Sequence, residues 1–198
     1  VNDAPVITPI SDHSTLENEP YSFMVTAMDI EDDALIYSLI DNPDEMSIDE
    51  QTGEISWSPT HDDLGEHQVT VRVNDDGPSE YVPLDESYLL TVKVINQIPD
   101  LQAVPGSITM NEEAVETFLI LPKDADADDQ LVVSVTTNND LLFPEGSITV
   151  DPDTALTNVQ RLVTMSPDTN QSGEALIILT VSDGDGSYSK QFLATVDP

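Results

Sequence analysis

Apolar residues alternate with polar ones in short runs along most of this chain. Tyr21, Phe23, Val25 and Ala27 are separated by single polar or smaller residues, and Leu35, Tyr37 and Leu39 repeat the pattern. Ile55 and Trp57 follow, then the runs 67–73 and 88–94. A period of two sends successive side chains to opposite faces, so each run predicts a half-buried β-strand. Runs 115–121, 131–136, 148–150, 159–165, 175–181 and 188–196 behave the same way. Clusters of Asp, Asn, Gly and Pro separate them and supply the turns. No long segment holds a 3.6-residue period. About seven short strands in each half predict an all-β chain built from sandwiches.

The pattern is also internally repeated. Thr15-Leu16-Glu17-Asn18-Glu19 lies on Thr109-Met110-Asn111-Glu112-Glu113, and Asn2-Asp3-Ala4-Pro5 lies on Asn96-Gln97-Ile98-Pro99 at the same spacing. Val73-Asn74-Asp75-Asp76-Gly77 echoes Val181-Ser182-Asp183-Gly184-Asp185 at a longer spacing, because the second copy carries insertions. Two copies predict two tandem Greek-key β-sandwich domains, 1–97 and 98–198, joined near Asn96 to Pro99. The opening Val1-Asn2-Asp3-Ala4-Pro5 reads as an interior stretch of a longer protein.

Charge narrows the functional classes. Five Lys and Arg residues stand against 39 Asp and Glu, a formal net charge of −34 over 198 residues. A nucleic-acid partner requires a basic footprint that five cations cannot build. An anionic membrane surface would repel the chain, and no apolar run approaches the roughly 18 residues of an inserted helix. The hydrophobic fraction of 38% is nevertheless enough for a real core. With no cysteine, disulfides and thiolate metal sites are unavailable. Hard oxygen donors in this number point to calcium or magnesium.

Sandwich topology gives the acids a geometry. If seven strands reverse direction in turn, the N-terminus and the loops after the second and sixth strands share one pole. In the first copy that N-terminal pole collects Asn2, Asp3, Asp29, Glu31, Asp32, Asp33, Asp75 and Asp76. The opposite pole of the first copy collects Glu17, Glu19, Asp62 and Asp63. The N-terminal pole of the second copy collects Asp124, Asp126, Asp128, Asp129, Asp183 and Asp185, and is expected to face it. Carboxylates crowded this way repel one another unless a cation intervenes, and calcium accepts 6–8 oxygens in flexible geometry.

Several motifs carry a family resemblance. Asp29-Ile30-Glu31-Asp32-Asp33-Ala34-Leu35-Ile36-Tyr37 resembles the D-x-D-x-D-x-L-x-Y segment of dystroglycan-type cadherin-like repeats. The stretch from Met46 through Ile48-Asp49, Thr52-Gly53, Ile55 and Trp57 to Pro59-Thr60 resembles their G-M-x-I-D-x-x-T-G-x-I-x-W-x-P-T core, with Glu45 where glycine is usual. Gly65 to Asp75 matches their G-x-H-x-V-x-V-x-V-x-D strand. The second copy is similar to bacterial Ig-like tandem repeats through Asn170-Gln171-Ser172-Gly173-Glu174-Ala175 and Leu179-Thr180-Val181-Ser182-Asp183-Gly184, and lacks the T-G-x-I-x-W segment.

The resemblance implies a non-catalytic calcium-binding module of a large bacterial surface adhesin, extracellular or secreted. In such arrays the linker also supplies ligands. The expected metal residues are therefore Asn2, Asp3, Glu17, Asp29, Glu31, Asp33, Asp63 and Asp75, then Asn96 and Asp100 at the joint, then Asp124, Asp126 and Asp183. Gln97 replaces the Asp of the first linker and brings no charge. Partners are calcium ions and neighbouring repeats of the same chain. Two roles stay open: a calcium-stiffened extender, or a module gripping a polysaccharide or a protein. Low aromatic content favours the first, with Trp57 expected in the core rather than as a sugar platform.

Overall fold

The alternating runs become strands wherever two apolar faces meet. The computed structural model describes residues 2–75, 84–126 and 129–198, so Asp76, Gly77 and Asp128 lie outside the described residues. The chain divides into two compact units, Val1–Asn96 and Gln97–Pro198.

In the first unit, β1 (Val6–Ile7), β2 (His13–Leu16), β3 (Tyr21–Met24), β4 (Ala27–Met28) and β5 (Leu35–Asp41) are followed by β6 (Ser47–Ile48), β7 (Glu54–Trp57), β8 (Gly65–Asp75) and β9 (Asp85–Ile95). They form sheets of order β2-β9-β8-β5 and β3-β7-β6, with a short β1-β4 ribbon. Every second residue of β8 (Val69, Val71 and Val73) is buried against Tyr37, Ile55 and Trp57. Trp57 is only 3% exposed and meets the His67 ring edge-on at 5.2 Å, so it is a core residue. A 3-10 turn, His61–Asp63, precedes β8.

The Thr52-Gly53 turn has a steric reason. Gly53 sits at φ +76°, and its N–H and C=O stitch the segment to its neighbours: Val25 donates its N–H to Gly53 O at 2.9 Å. A Cβ at Gly53 would lie 2.7 Å from Val25 O, a distance no side chain tolerates. Asp49 sets up that turn by accepting from the N–H groups of Thr52 at 2.7 Å and Gln51 at 3.0 Å. The Thr52 bond, then the Gln51 bond, hold the Asp49 carboxyl below the usual carboxylate range. Glu45 adopts φ 62°, the left-handed conformation that glycine takes most cheaply.

The second unit contains β10 (Asp100–Gln102), β11 (Ser107–Asn111), β12 (Glu116–Lys123), β13 (Gln130–Thr137) and β14 (Ile148–Asp151), then β15 (Thr154–Leu156), β16 (Arg161–Met165), β17 (Gly173–Ser182) and β18 (Ser187–Asp197). Its sheets run β10-β12-β16-β14 and β11-β18-β17-β13-β15. Ile120, Val163, Leu131, Ile177 and Leu179 are fully buried between them. In both units an early strand pairs in parallel with the last, β2 with β9 and β11 with β18. The chain is all-β, two tandem β-sandwiches.

Candidate cation-binding poles

In the first unit the N-terminal pole is wired together by hydrogen bonds. Asp29, just after β4, accepts from the N–H of Glu31 at 2.9 Å and of Asp33 at 3.3 Å through one oxygen, Oδ1. Glu31 Oε2 accepts from the Asp3 N–H at 3.2 Å. Asn2 Nδ2 donates to Asp75 Oδ2 at 3.0 Å, while Asp75 Oδ1 takes the Leu84 N–H at 3.0 Å. Asp75 closes β8 and is 1% exposed, so both its oxygens are used where water cannot reach. Asn2 Oδ1 and Asp29 Oδ2 are buried without a hydrogen-bond partner among the described residues. No three acidic ligand atoms of this pole approach within 4.8 Å among the described residues.

The other predicted residues of this unit have local employment. Glu17 is buried, with Oε2 3.0 Å from His61 Nδ1. Asp63 Oδ2 accepts from the Thr60 N–H at 2.8 Å and the Thr60 hydroxyl at 3.0 Å, closing the 3-10 turn. Asn96 ends the unit with a buried Oδ1. In the second unit Asp100 pairs with Lys190 across 3.5 Å, so part of its charge is already answered.

The second unit crowds its acids more tightly. Asp124 follows β12, and Asp129 precedes β13, so both sit where the chain crosses from one sheet to the other. Asp124, Asp126 and Asp129 each place a carboxylate oxygen within 4.8 Å of the other two. Their Oδ2 atoms are buried, and that of Asp124 has no hydrogen-bond partner among the described residues. Asp124 Oδ1 accepts from the Asp126 N–H at 3.1 Å, which turns the loop. Burial pushes the Asp124 carboxyl up from its ordinary value, and the charges of Asp183 and Asp129 add to the rise. Asp183 therefore belongs to the same electrostatic neighbourhood. Its own Oδ1 accepts the N–H groups of Gly186 at 2.6 Å and Asp185 at 2.8 Å.

Three converging carboxylates, all oxygen and all hard, fit a calcium-type ion and offer nothing to a soft metal. Two contributors escaped the residue-level prediction. Asp129 was legible only as one more acid of the loop, and Thr157 gave no signal. Thr157 is buried; its Oγ1 accepts the Asp124 N–H at 2.7 Å, and its own N–H bonds Asp129 O at 3.2 Å.

Known proteins agree with this architecture. Residues 4–94 match the family described as "Putative Ig domain", and residues 96–196 match the bacterial Ig domain family, just over half of the chain. No curated protein matches the sequence. Among solved structures, the titin domains z1z2 in complex with telethonin are similar at TM-score 0.55 and 9% identity, covering 100% of this chain and 98% of that one. Human protocadherin-24 EC1-2 is similar at 0.41 and 19%, with full coverage of both chains. An endo-fucoidan hydrolase of glycoside hydrolase family 107 is similar at 0.41 and 16% over 98% of this chain, which spans 28% of the hydrolase's length. The titin likeness shows the fold, and the match over residues 96–196 settles the kinship: this chain belongs to the bacterial Ig domain family.

Proposed function

We propose that the chain is a non-catalytic, calcium-binding segment of a larger bacterial surface or secreted protein, acting as an extender that calcium stiffens. The observation that carries this is the convergence of Asp124, Asp126 and Asp129 within 4.8 Å, with a buried Asp124 oxygen left without a hydrogen bond among the described residues. Burying like charges together costs free energy that a divalent cation offsets. The cadherin-like character of the first unit rests on its motifs, chiefly the Asp49 to Trp57 turn whose stereochemistry is described above. The burial of Trp57 supports an extender over a sugar-gripping module, because stacking on a sugar ring requires an exposed face.

Small-angle scattering on the whole chain tests the role. In millimolar calcium the maximum dimension should settle to one value with low flexibility, and chelator should broaden the distribution. Identical profiles in both would contradict the extender. Glycan-array binding in calcium would favour the gripping role instead.

A further inference from the structure

Arg161 is the one charged residue of the second unit's described core that stands fully buried, and its hydrogen bonds go to backbone carbonyls. It is 0% exposed. Its Nη1 donates to Asp153 O at 2.6 Å, and its Nη2 donates to Leu131 O at 2.8 Å and Ala155 O at 3.0 Å. Its Nε has no hydrogen-bond partner among the described residues. Burial lowers its pKa, and the nearby Asp153 charge offsets part of that fall. Removing a buried group that others hydrogen-bond leaves those partners unsatisfied, and here three carbonyls depend on one guanidinium.

Its contacts suggest what it does. Arg161 opens β16 and pairs with Ile120 of β12, the strand that runs on to Asp124. Its guanidinium reaches across to the other sheet and grips Leu131 of β13 and Ala155 of β15, which face each other in register. Two residues further along that ladder, the Thr157 N–H meets Asp129 O at 3.2 Å. The Thr157 hydroxyl then takes the Asp124 N–H at 2.7 Å. Asp124, just after β12, and Asp129, just before β13, are thus tied through a single side chain and one threonine.

We infer that Arg161 is a positioning residue for the Asp124–Asp126–Asp129 cluster, acting through Thr157 to fix the spacing of its carboxylates for a divalent cation. The inference rests on the calcium reading above. It makes a prediction opposite in sign to simple electrostatics. A positive charge in the same unit repels calcium, so removing it would strengthen binding if charge were all that mattered. If Arg161 sets geometry, removing it weakens binding, by about tenfold to a hundredfold as for other residues that orient metal ligands.

The test is calcium titration by calorimetry on the full chain, with fold checked by circular dichroism. The variants are Arg161→Met, Arg161→Lys, Thr157→Val and, as reference, Asp124→Asn. Arg161→Met and Thr157→Val should each weaken the component that Asp124→Asn removes. Arg161→Lys should weaken it too, because it keeps the charge but not the three-carbonyl grip. Should Arg161→Met fail to fold, Arg161→Lys decides, since it keeps the buried charge and removes the three-carbonyl grip. Unchanged or tighter binding in the folded variants overturns the inference while leaving the calcium reading intact. A wild-type chain that binds no calcium overturns both.

Discussion

The two N-terminal poles begin from similar acidic loops and arrive at different solutions. In the first unit the acids consume one another's backbone: Asp29 holds Glu31 and Asp33, Glu31 holds Asp3, and Asn2 and Leu84 occupy both oxygens of Asp75. In the second, Asp124, Asp126 and Asp129 converge within 4.8 Å, and the Asp124 carboxyl is pushed up by burial and by its acidic neighbours. An acid count cannot distinguish these outcomes. What separates them is whether amide donors reach the carboxylates before the carboxylates reach each other.

The largest expected effect breaks the comparison open with metal. If ions bind the folded pole only, free calcium at about 100 times the dissociation constant adds roughly 2.7 kcal/mol per site. For a domain of this size that is on the order of 10–20 °C in melting temperature. Differential scanning calorimetry should show the second unit's transition moving up by more than the first's, and magnesium moving it less because it demands tighter octahedral geometry. Equal shifts in both transitions would erase the distinction between the poles.

A second measurement sharpens the contrast through opposite signs. Asp75→Ala leaves the Asn2 amide and the Leu84 N–H without their buried acceptor, costing about 1–3 kcal/mol in calcium and in chelator alike. Asp124→Asn removes one of the mutually repelling charges, so it should raise the second unit's melting temperature in chelator and lower it in calcium. Chemical denaturation of each variant with and without chelator reads both signs.

Smaller effects come from the turn found only in the first unit. The Asp49 carboxyl has a folded pKa below its ordinary 3.8, so its stabilising contribution is present above that value and is lost as pH falls through the folded one. Asp49→Asn should therefore flatten the acid limb of the first unit's melting curve below pH 3.8 and leave the second unit's limb unchanged. Smallest of all, Glu45→Gly relieves a left-handed residue at φ 62°. The relief, about 1 kcal/mol, is offset in part by glycine's greater freedom when unfolded. A slight rise in the first unit's melting temperature is expected.

Much of this fold was legible because alternation is a strong signal where strands are long. Gly65–Asp75, Asp85–Ile95 and Gly173–Ser182 each carry several buried positions at a period of two. Val6–Ile7 and Ser47–Ile48 are too short to show any period, and each pairs through only two residues. The run from Tyr21 to Ala27 read as one strand but breaks at Val25, whose N–H leaves the ladder for Gly53 O. The run from 159 starts two residues late, at Arg161, following Asn158 at φ 59°.

The poles were legible as regions and not as ligand sets. Alternating acids predict Asp124, Asp126 and Asp183 as one neighbourhood, and Asp183 acts on Asp124 through its charge. Asp63 and Asp100 carried the same chemical promise, yet the Thr60 backbone and Lys190 engage them. Thr157 and Arg161 lie more than thirty residues downstream of Asp124, and only strand pairing, β12 with β16 and β13 with β15, brings them to bear on it.

If the second unit's converging carboxylates hold calcium, calorimetric titration of the wild-type chain should show a binding component that weakens at least tenfold in Asp124→Asn. That component should persist in Glu145→Gln, a carboxylate on a loop outside both poles. Superimposable isotherms for all three proteins would contradict it.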